Sequence, residues 1–432
     1  MPSVTGPAPT RAPVGTRRGM VALRHRNFRL FFFGQLISLV GTWMQSLAQG
    51  WLVLQLTQDP FALGVIGAIQ FMPVMVFGLF GGLIADALPK RTTIIATQAS
   101  SMILALVLFW LTWTHQVQAW HIGILAFLLG CVNTIDMPTR QAFVVEMVGR
   151  DDVVNAVALN SAVFNAARIV GPAIAGVVIG LVGISICFLL NGLSYVAVIV
   201  GLFMMRTADL RALGTYAFRR NAGAVVADMA EGLGYVRRTP VVLLAVVVVG
   251  LVSTVGMNLN VLVPVFSADV LHSGATGFGF LMAATGVGSL VAALVIAFAG
   301  RSSPRVMLAG GAVLGFLQLV LVAVNVMPVA LACMFGVGFG SIAMTATANT
   351  SIQLAVPDSL RGRVMSVYMT VFAGSTPVGA LFAGALAAQF GAAIAFGVGG
   401  GISLAVIVVA FVLARPWLAA RRTAQARMSL GG

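Results

Sequence analysis

Apolar residues run along this chain in long unbroken blocks, and polar residues gather in short clusters between them. The block from Val241 to Phe266, VVLLAVVVVGLVSTVGMNLNVLVPVF, holds no charged residue. A spanning helix needs about 20 apolar residues and a barrel strand about 10 in alternation, so blocks of this length predict membrane helices. Cutting at charge clusters and turn residues yields twelve spans, at 30–55, 61–85, 92–114, 120–144, 154–180, 184–205, 240–266, 276–299, 305–325, 328–351, 361–388 and 391–414. They group into an N-terminal bundle over 30–205 and a C-terminal bundle over 240–414, with tails at 1–29 and 415–432 and a linker at 206–239. The predicted fold class is an all-α membrane protein with twelve transmembrane helices in two six-helix bundles. The first tail, rich in Pro, Gly and Arg, reads as disordered.

The basic residues test this cut, because Lys and Arg concentrate in cytoplasmic loops. The first tail carries Arg11, Arg17, Arg18, Arg24, Arg26 and Arg29, and the loop between spans 2 and 3 carries Lys90 and Arg91. The loop between spans 4 and 5 has Arg150, and the linker has Arg206, Arg211, Arg219, Arg220, Arg237 and Arg238. Arg301, Arg305, Arg361 and Arg363 continue the series, which ends with Arg415, Arg421, Arg422 and Arg427. Every one falls on the same side, and the opposite loops have none. Both termini are therefore expected in the cytoplasm, with the chain crossing the inner (cytoplasmic) membrane.

Composition agrees: 59% of residues are hydrophobic and 8% charged, whereas a soluble domain carries about 25% charged residues. The formal net charge of +14 needs no nucleic-acid partner, since the one-sided loops account for it. Enzyme signatures are missing. The single lysine, Lys90, lies between Pro89 and Arg91, so there is no phosphate-binding Gly-Lys-Ser/Thr. The histidines His25, His115, His121 and His272 are scattered, as are Cys131, Cys187 and Cys333, so neither a metal site, a cofactor nor a disulfide framework is expected.

The halves share a pattern. Met137–Ala158 can be laid on Thr345–Ser366, and the same shift places Gly171 and Gly176 on Gly379 and Gly384. Between the halves, Arg219–Arg238 reads as an amphipathic cytoplasmic helix, with Val225, Met229, Leu233 and Val236 at helical spacing, acting as a tether between bundles.

Three groups of residues carry candidate chemistry. On span 5, Ser161, Asn165, Arg168 and Pro172 share one face, with Arg168 near mid-membrane at about 1.5 Å per residue. Insertion of an arginine at that depth costs about 2.5–3.5 kcal/mol, so Arg168 should face a wet cavity or a carboxylate. On span 4, Asp136 is the one acidic residue well inside a span, with Arg140 one turn later, and it offers itself as a partner for Arg168. Asp136 reads either as a proton carrier or as half of a fixed bridge. Gln45, Gln49, Gln70 and Asn258 are candidates to line a substrate cavity.

The stretch GLIADALPKR, Gly82 to Arg91, resembles the loop 2–3 signature of the major facilitator superfamily: Gly82, Ala85, Asp86, Lys90 and Arg91 match, while Ala87 and Pro89 depart from it. GPAIAG, with Gly171, Pro172 and Gly176, resembles the span 5 motif of that superfamily's exporters, with Ala175 in place of a glycine. DDVVNAVALNSAVFNAARIVGPAIAG from Asp151 and EGLGYVRRTPVV from Glu231 resemble its enterobactin-exporter branch, the transmembrane secretion effector group. The resemblance implies a monomeric secondary transporter, with Asp86 in a cytoplasmic gate latch. The expected activity is proton-coupled export of a small bulky molecule, a siderophore or drug. The alternatives are gradient-driven import and a membrane scaffold or sensor without transport.

Overall fold

The structure, a computed structural model, describes residues 20–210, 222–299 and 303–430, with 79–83, 85–86, 222, 224–226 and 415–430 described by backbone alone. Outside it lie Arg11, Arg17, Arg18, Arg211, Arg219, Arg220 and Arg301 of the basic series, and the side chains of Gly82, Asp86, Val225 and Arg415 are not among those described. The described residues form helices α1 (Arg26–Thr57), α2 (Pro60–Ala87), α3 (Lys90–Trp113), α4 (Ala119–Val182), α5 (Ser185–Phe203), α6 (Ala222–Arg238), α7 (Pro240–Gly256) and α8 (Leu259–Val265). The series ends with α9 (Gly274–Ala299), α10 (Pro304–Val320), α11 (Met327–Ala355), α12 (Asp358–Phe390) and α13 (Ala392–Leu430).

Eleven of the described helical segments are long and apolar enough to cross a membrane, and one of them, α4, has 64 residues. That is about 95 Å of helix, three hydrocarbon thicknesses, so α4 cannot be one crossing. It breaks at Gly149, where φ is 77° and only glycine is unstrained. The shift that relates the halves lays Gly149 on Pro357, the N-cap of α12. Divided at Gly149, α4 supplies spans 4 and 5, and the chain makes twelve crossings in two six-helix bundles. Lipid-facing side chains stand fully outward, with Phe298 87% and Leu181 79% exposed, as an apolar solvent permits.

Local signals set several boundaries. Asp59 caps α2 by accepting from Phe61 N at 2.9 Å, with Pro60 following at the first helical position. Span 7 differs from its predicted form: it is interrupted at Met257–Asn258 and continues as the short α8.

Residues 20–29, expected in a disordered tail, are folded. Val21–Arg24 form a turn of 3-10 helix whose Ala22 N donates to Asn155 Oδ1 at 3.0 Å, and His25 Nε2 meets Asp152 Oδ2 at 2.7 Å. Asn27 and Arg206 bond each other through side chain and backbone at 2.8 and 3.1 Å. At these residues polar composition hid the specific acceptors, and residues 1–19 of the expected tail lie outside the described ones. The described part of the linker helix, Ala222–Arg238, packs on α12 and α7 of the C-terminal half. Arg363 of α12 clasps Asp228 at 2.7 Å and Glu231 at 2.5 Å, and Tyr235 donates to Ala355 O at 3.2 Å.

Two seams join the bundles. On the first, span 5 meets α9: a Cβ added to Gly176 would lie 3.0 Å from Ala275 O and 3.1 Å from Gly279 Cα, and Thr276 Oγ1 donates to Gly176 O at 3.0 Å. On the second, α2 meets α12: a Cβ on Gly384 would lie 3.0 Å from Pro60 O and 3.2 Å from Gly64 Cα. Small residues let backbones touch where lipid supplies no hydrophobic drive. The repeat holds in space as well. Gly176 and Gly384 each face the other bundle, while Gly171 backs onto Val40 and Met44 of α1 as Gly379 backs onto Thr254 and Asn258 of α7–α8.

Both seams run inward from the face opposite the basic loops, the first reaching Gly286 beside Arg168 O and the second Gly67 beside Ala380. The close glycine approaches between the bundles, Gly176–Gly279, Gly286–Ile169 and Gly64–Gly384, all lie from that face to mid-depth.

Candidate functional site

Arg168 lies where spans 1, 5 and 8 converge. Its guanidinium carbon sits 5.9 Å from the Trp43 ring centroid, and Phe164, one turn earlier on span 5, meets Trp43 edge-on at 5.6 Å. Three residues beyond Arg168, Gly171 lets α1 approach closely. A cation over an aromatic face gains about 0.5–2 kcal/mol, which offsets part of the 2.5–3.5 kcal/mol cost of an arginine at mid-membrane. No carboxylate lies within ion-pair distance of Arg168 among the described residues. Asn165 donates to Ser161 O of its own helix at 2.8 Å, and Pro172 is buried behind it.

The expected pairing of Asp136 with Arg168 is not formed. Asp136 is 6% exposed and bonded by Arg140 Nε, by Thr97 Oγ1 at 2.5 Å and by Gln98 Nε2 at 3.2 Å. Arg140 is one turn away on the same helix and α3 supplies the other donors, so the carboxylate is saturated before α4 turns at Gly149 toward Arg168. Thr97 and Gln98 were not singled out from sequence, although a polar pair inside the apolar run of α3 was a readable sign. Trp43 and Phe164 carried none.

The amide group divides. Gln49 Nε2 and Gln70 Oε1 meet at 3.4 Å between α1 and α2. Gln45 turns away and accepts from Asn191 Nδ2 at 2.6 Å, tying span 1 to span 6, and Asn258 donates to Thr254 O at 2.7 Å, filling the break in span 7. In the loop 2–3 motif, Arg91 Nε donates to Leu202 O at 2.8 Å, placing a cation on the C-terminus of α5, where the helix dipole favours it. Lys90 donates to Leu88 O at 3.2 Å and lies within electrostatic reach of Glu146. Gly82 and Asp86 occupy the last turns of α2, and the Asp86 side chain lies outside the described ones.

Two six-helix bundles related by an internal repeat and joined along a pair of matching glycine seams are the architecture of the major facilitator type. The chain belongs to the transmembrane secretion effector family, whose sequence profile matches residues 18–429. Among curated relatives, it is 24% identical over 397 residues to the staphyloferrin A transporter of Staphylococcus aureus, covering 90% of this chain and 96% of that protein. It is 29% identical over 373 residues to the multidrug efflux pump Tap of Mycolicibacterium fortuitum, covering 83% and 88%. Among solved structures, a POT family transporter bound to 5-aminolevulinic acid aligns with a TM-score of 0.71 at 11% identity, covering 91% of this chain and 96% of that one. The nucleoside transporter NupG aligns at 0.70 and 11%, covering 90% and 99%. Identities this low establish the shared fold.

Proposed function

We propose that this protein is a proton-coupled exporter in the cytoplasmic membrane, moving a small, bulky, partly apolar molecule of the siderophore or drug kind by alternating access. The observation that carries the reading is the placement of the two seams. The bundles are joined through Gly176–Gly279 and Gly64–Gly384 toward one face, and the rule that basic loops are cytoplasmic makes that the outer face. The described state thus resembles one that loads from inside. The name of one relative, a multidrug efflux pump, favours export. Asp136 is the candidate proton carrier, as the carboxylate buried within the spans. One proton crossing 100 mV supplies about 2.3 kcal/mol, enough for a concentration ratio of roughly fiftyfold.

The test is flux in proteoliposomes under an imposed pH gradient, with relatives' substrates as cargo. Accumulation on the acidic side that collapses with a protonophore, and is lost in Asp136→Asn, is the expected result. Accumulation on the alkaline side would make the protein an importer, and no flux in either sense would leave a scaffold.

A further inference from the structure

The chain holds eleven acidic residues, and the charge of Arg168 is met by none of those described. Asp136 is committed to Arg140, Asp152 to His25, Asp228 and Glu231 to Arg363, and Asp358 to Arg361. Asp59 caps α2, and Asp209 and Asp269 lie in connections between spans. Glu146 and Asp151 flank the turn at Gly149 at the loop ends of their spans, and Asp86, in the last turn of α2, has a side chain outside the described ones. A permanent cation at mid-depth therefore waits for an anion that none of the described side chains supplies.

The surroundings specify more than charge. The guanidinium rests over the Trp43 ring, Phe164 stands edge-on to the same ring, and Phe164 itself is 45% exposed. Ser161 and Asn165 continue this face of span 5 toward the basic loops. Immediately outward, Gly171 and Gly176 close span 5 against α1 and α9, so the cluster forms the floor beneath the outer seal. Arginine presents a planar fork suited to a carboxylate or sulfonate, and the aromatic pair offers a flat apolar wall beside it.

We infer that Arg168, with Trp43 and Phe164, is an anion-binding subsite, and that the cargo is an organic anion carrying an acidic group next to a flat apolar body. This rests on the transport reading above and narrows it to a substrate class. At mid-depth the guanidinium neutralises the acidic group of the cargo, and the cargo leaves outward when the outer seam opens while Arg168 stays on span 5. A cationic cargo would be repelled from the same floor.

Two aromatic dyes of opposite charge, fluorescein as the anion and ethidium as the cation, test the assignment by equilibrium dialysis against the full-length protein in detergent. Wild type should retain fluorescein at least tenfold more tightly than ethidium. Arg168→Gln should lose that preference, Arg168→Lys should keep most of it, and Arg168→Glu should reverse it. The two charged replacements guard against misfolding, because a collapsed site cannot switch sign. Equal fluorescein binding by wild type and Arg168→Gln, or a wild-type preference for ethidium, overturns the subsite. So does an absence of fluorescein binding to wild type. Dye counterflow in proteoliposomes separates the two readings: binding that depends on Arg168 without any flux keeps the anion site and removes transport.

Discussion

The two halves of the molecule solve one packing problem in different chemistries. Under the shift that relates the bundles, Asp136 and Arg140 of span 4 correspond to Met344 and Ala348 of span 10, both fully buried. In the N-terminal half, span 4 is joined to α3 by a buried carboxylate with Arg140, Thr97 and Gln98 around it. In the C-terminal half, α10 and α11 simply touch: a Cβ on Gly310 would lie 2.7 Å from Met344 N and 2.8 Å from Gly340 O. The fold is therefore satisfied by small residues and a methionine at this seam. An ion pair buried in the related seam is a costlier way to hold two helices, and replacing such pairs by apolar residues is often neutral. On the proposal that Asp136 carries the proton, the charges in the N-terminal half have a task that the apolar seam of the C-terminal half does not.

The largest effect should come from breaking that pair unevenly. Asp136→Ala leaves the largely buried Arg140 without its carboxylate, a loss toward the lower end of the about 3–5 kcal/mol of a broken buried pair because Arg140 is 16% exposed. Thermal unfolding in detergent would show a drop of many degrees. The double replacement Asp136→Met with Arg140→Ala copies the C-terminal half and should recover most of the stability while remaining dead for gradient-driven flux. A double variant as unstable as the single one would mean that the pair is needed for folding, and the contrast between halves would lose its meaning.

The second effect addresses the seams, which the repeat makes equivalent. Gly176→Val and Gly384→Val each force a branched side chain between touching backbones, and overpacking of this kind costs about 1–3 kcal/mol. Both should shift the population away from the outer-closed state by tenfold or more, read as lengthened distances between spin labels on the outer ends of spans 5 and 8. Equal shifts in the two variants support a two-fold closure. A shift in one alone would show that a single seam governs the gate.

Much of this was legible in the sequence because membrane helices announce themselves by length, and loop charge fixes their parity. Gly171 and Gly176 could be singled out because they sit in a Gly-Pro motif, and Asp136–Arg140 because one helical turn separates them. Their partners could not. Gly64 and Gly279 look like ordinary membrane-helix glycines until the opposite bundle is beside them, and Trp43 gains its role only through a residue far along the chain. Pairing Asp136 with Arg168 failed for the same reason: counting charges within spans says nothing about which face of α4 survives the turn at Gly149. The break at Met257–Asn258 was hidden inside an uncharged run, where propensity alone gives no stop.

The smallest effect tests how far the repeat extends at the basic face. The segment before span 1 is fastened to the start of span 5 through Asn155, which accepts from Ala22 N at 3.0 Å. The segment before span 7, α6, is fastened to the start of span 11 through Arg363, and the shift that relates the halves lays Asn155 on Arg363. Two unrelated side chains thus hold corresponding helices at corresponding places, one by a hydrogen bond and one by a forked ion pair. Arg363 is about one-third exposed, so its bridges are screened, and the lost amide bond is of similar size. Asn155→Ala and Arg363→Ala should each cost about 1 kcal/mol, with only the arginine's loss shrinking as salt rises. If Arg363→Ala proves much the more damaging even at high salt, α6 is held by Arg363 more firmly than any exposed pair allows, and the correspondence between the two fastenings stops at geometry.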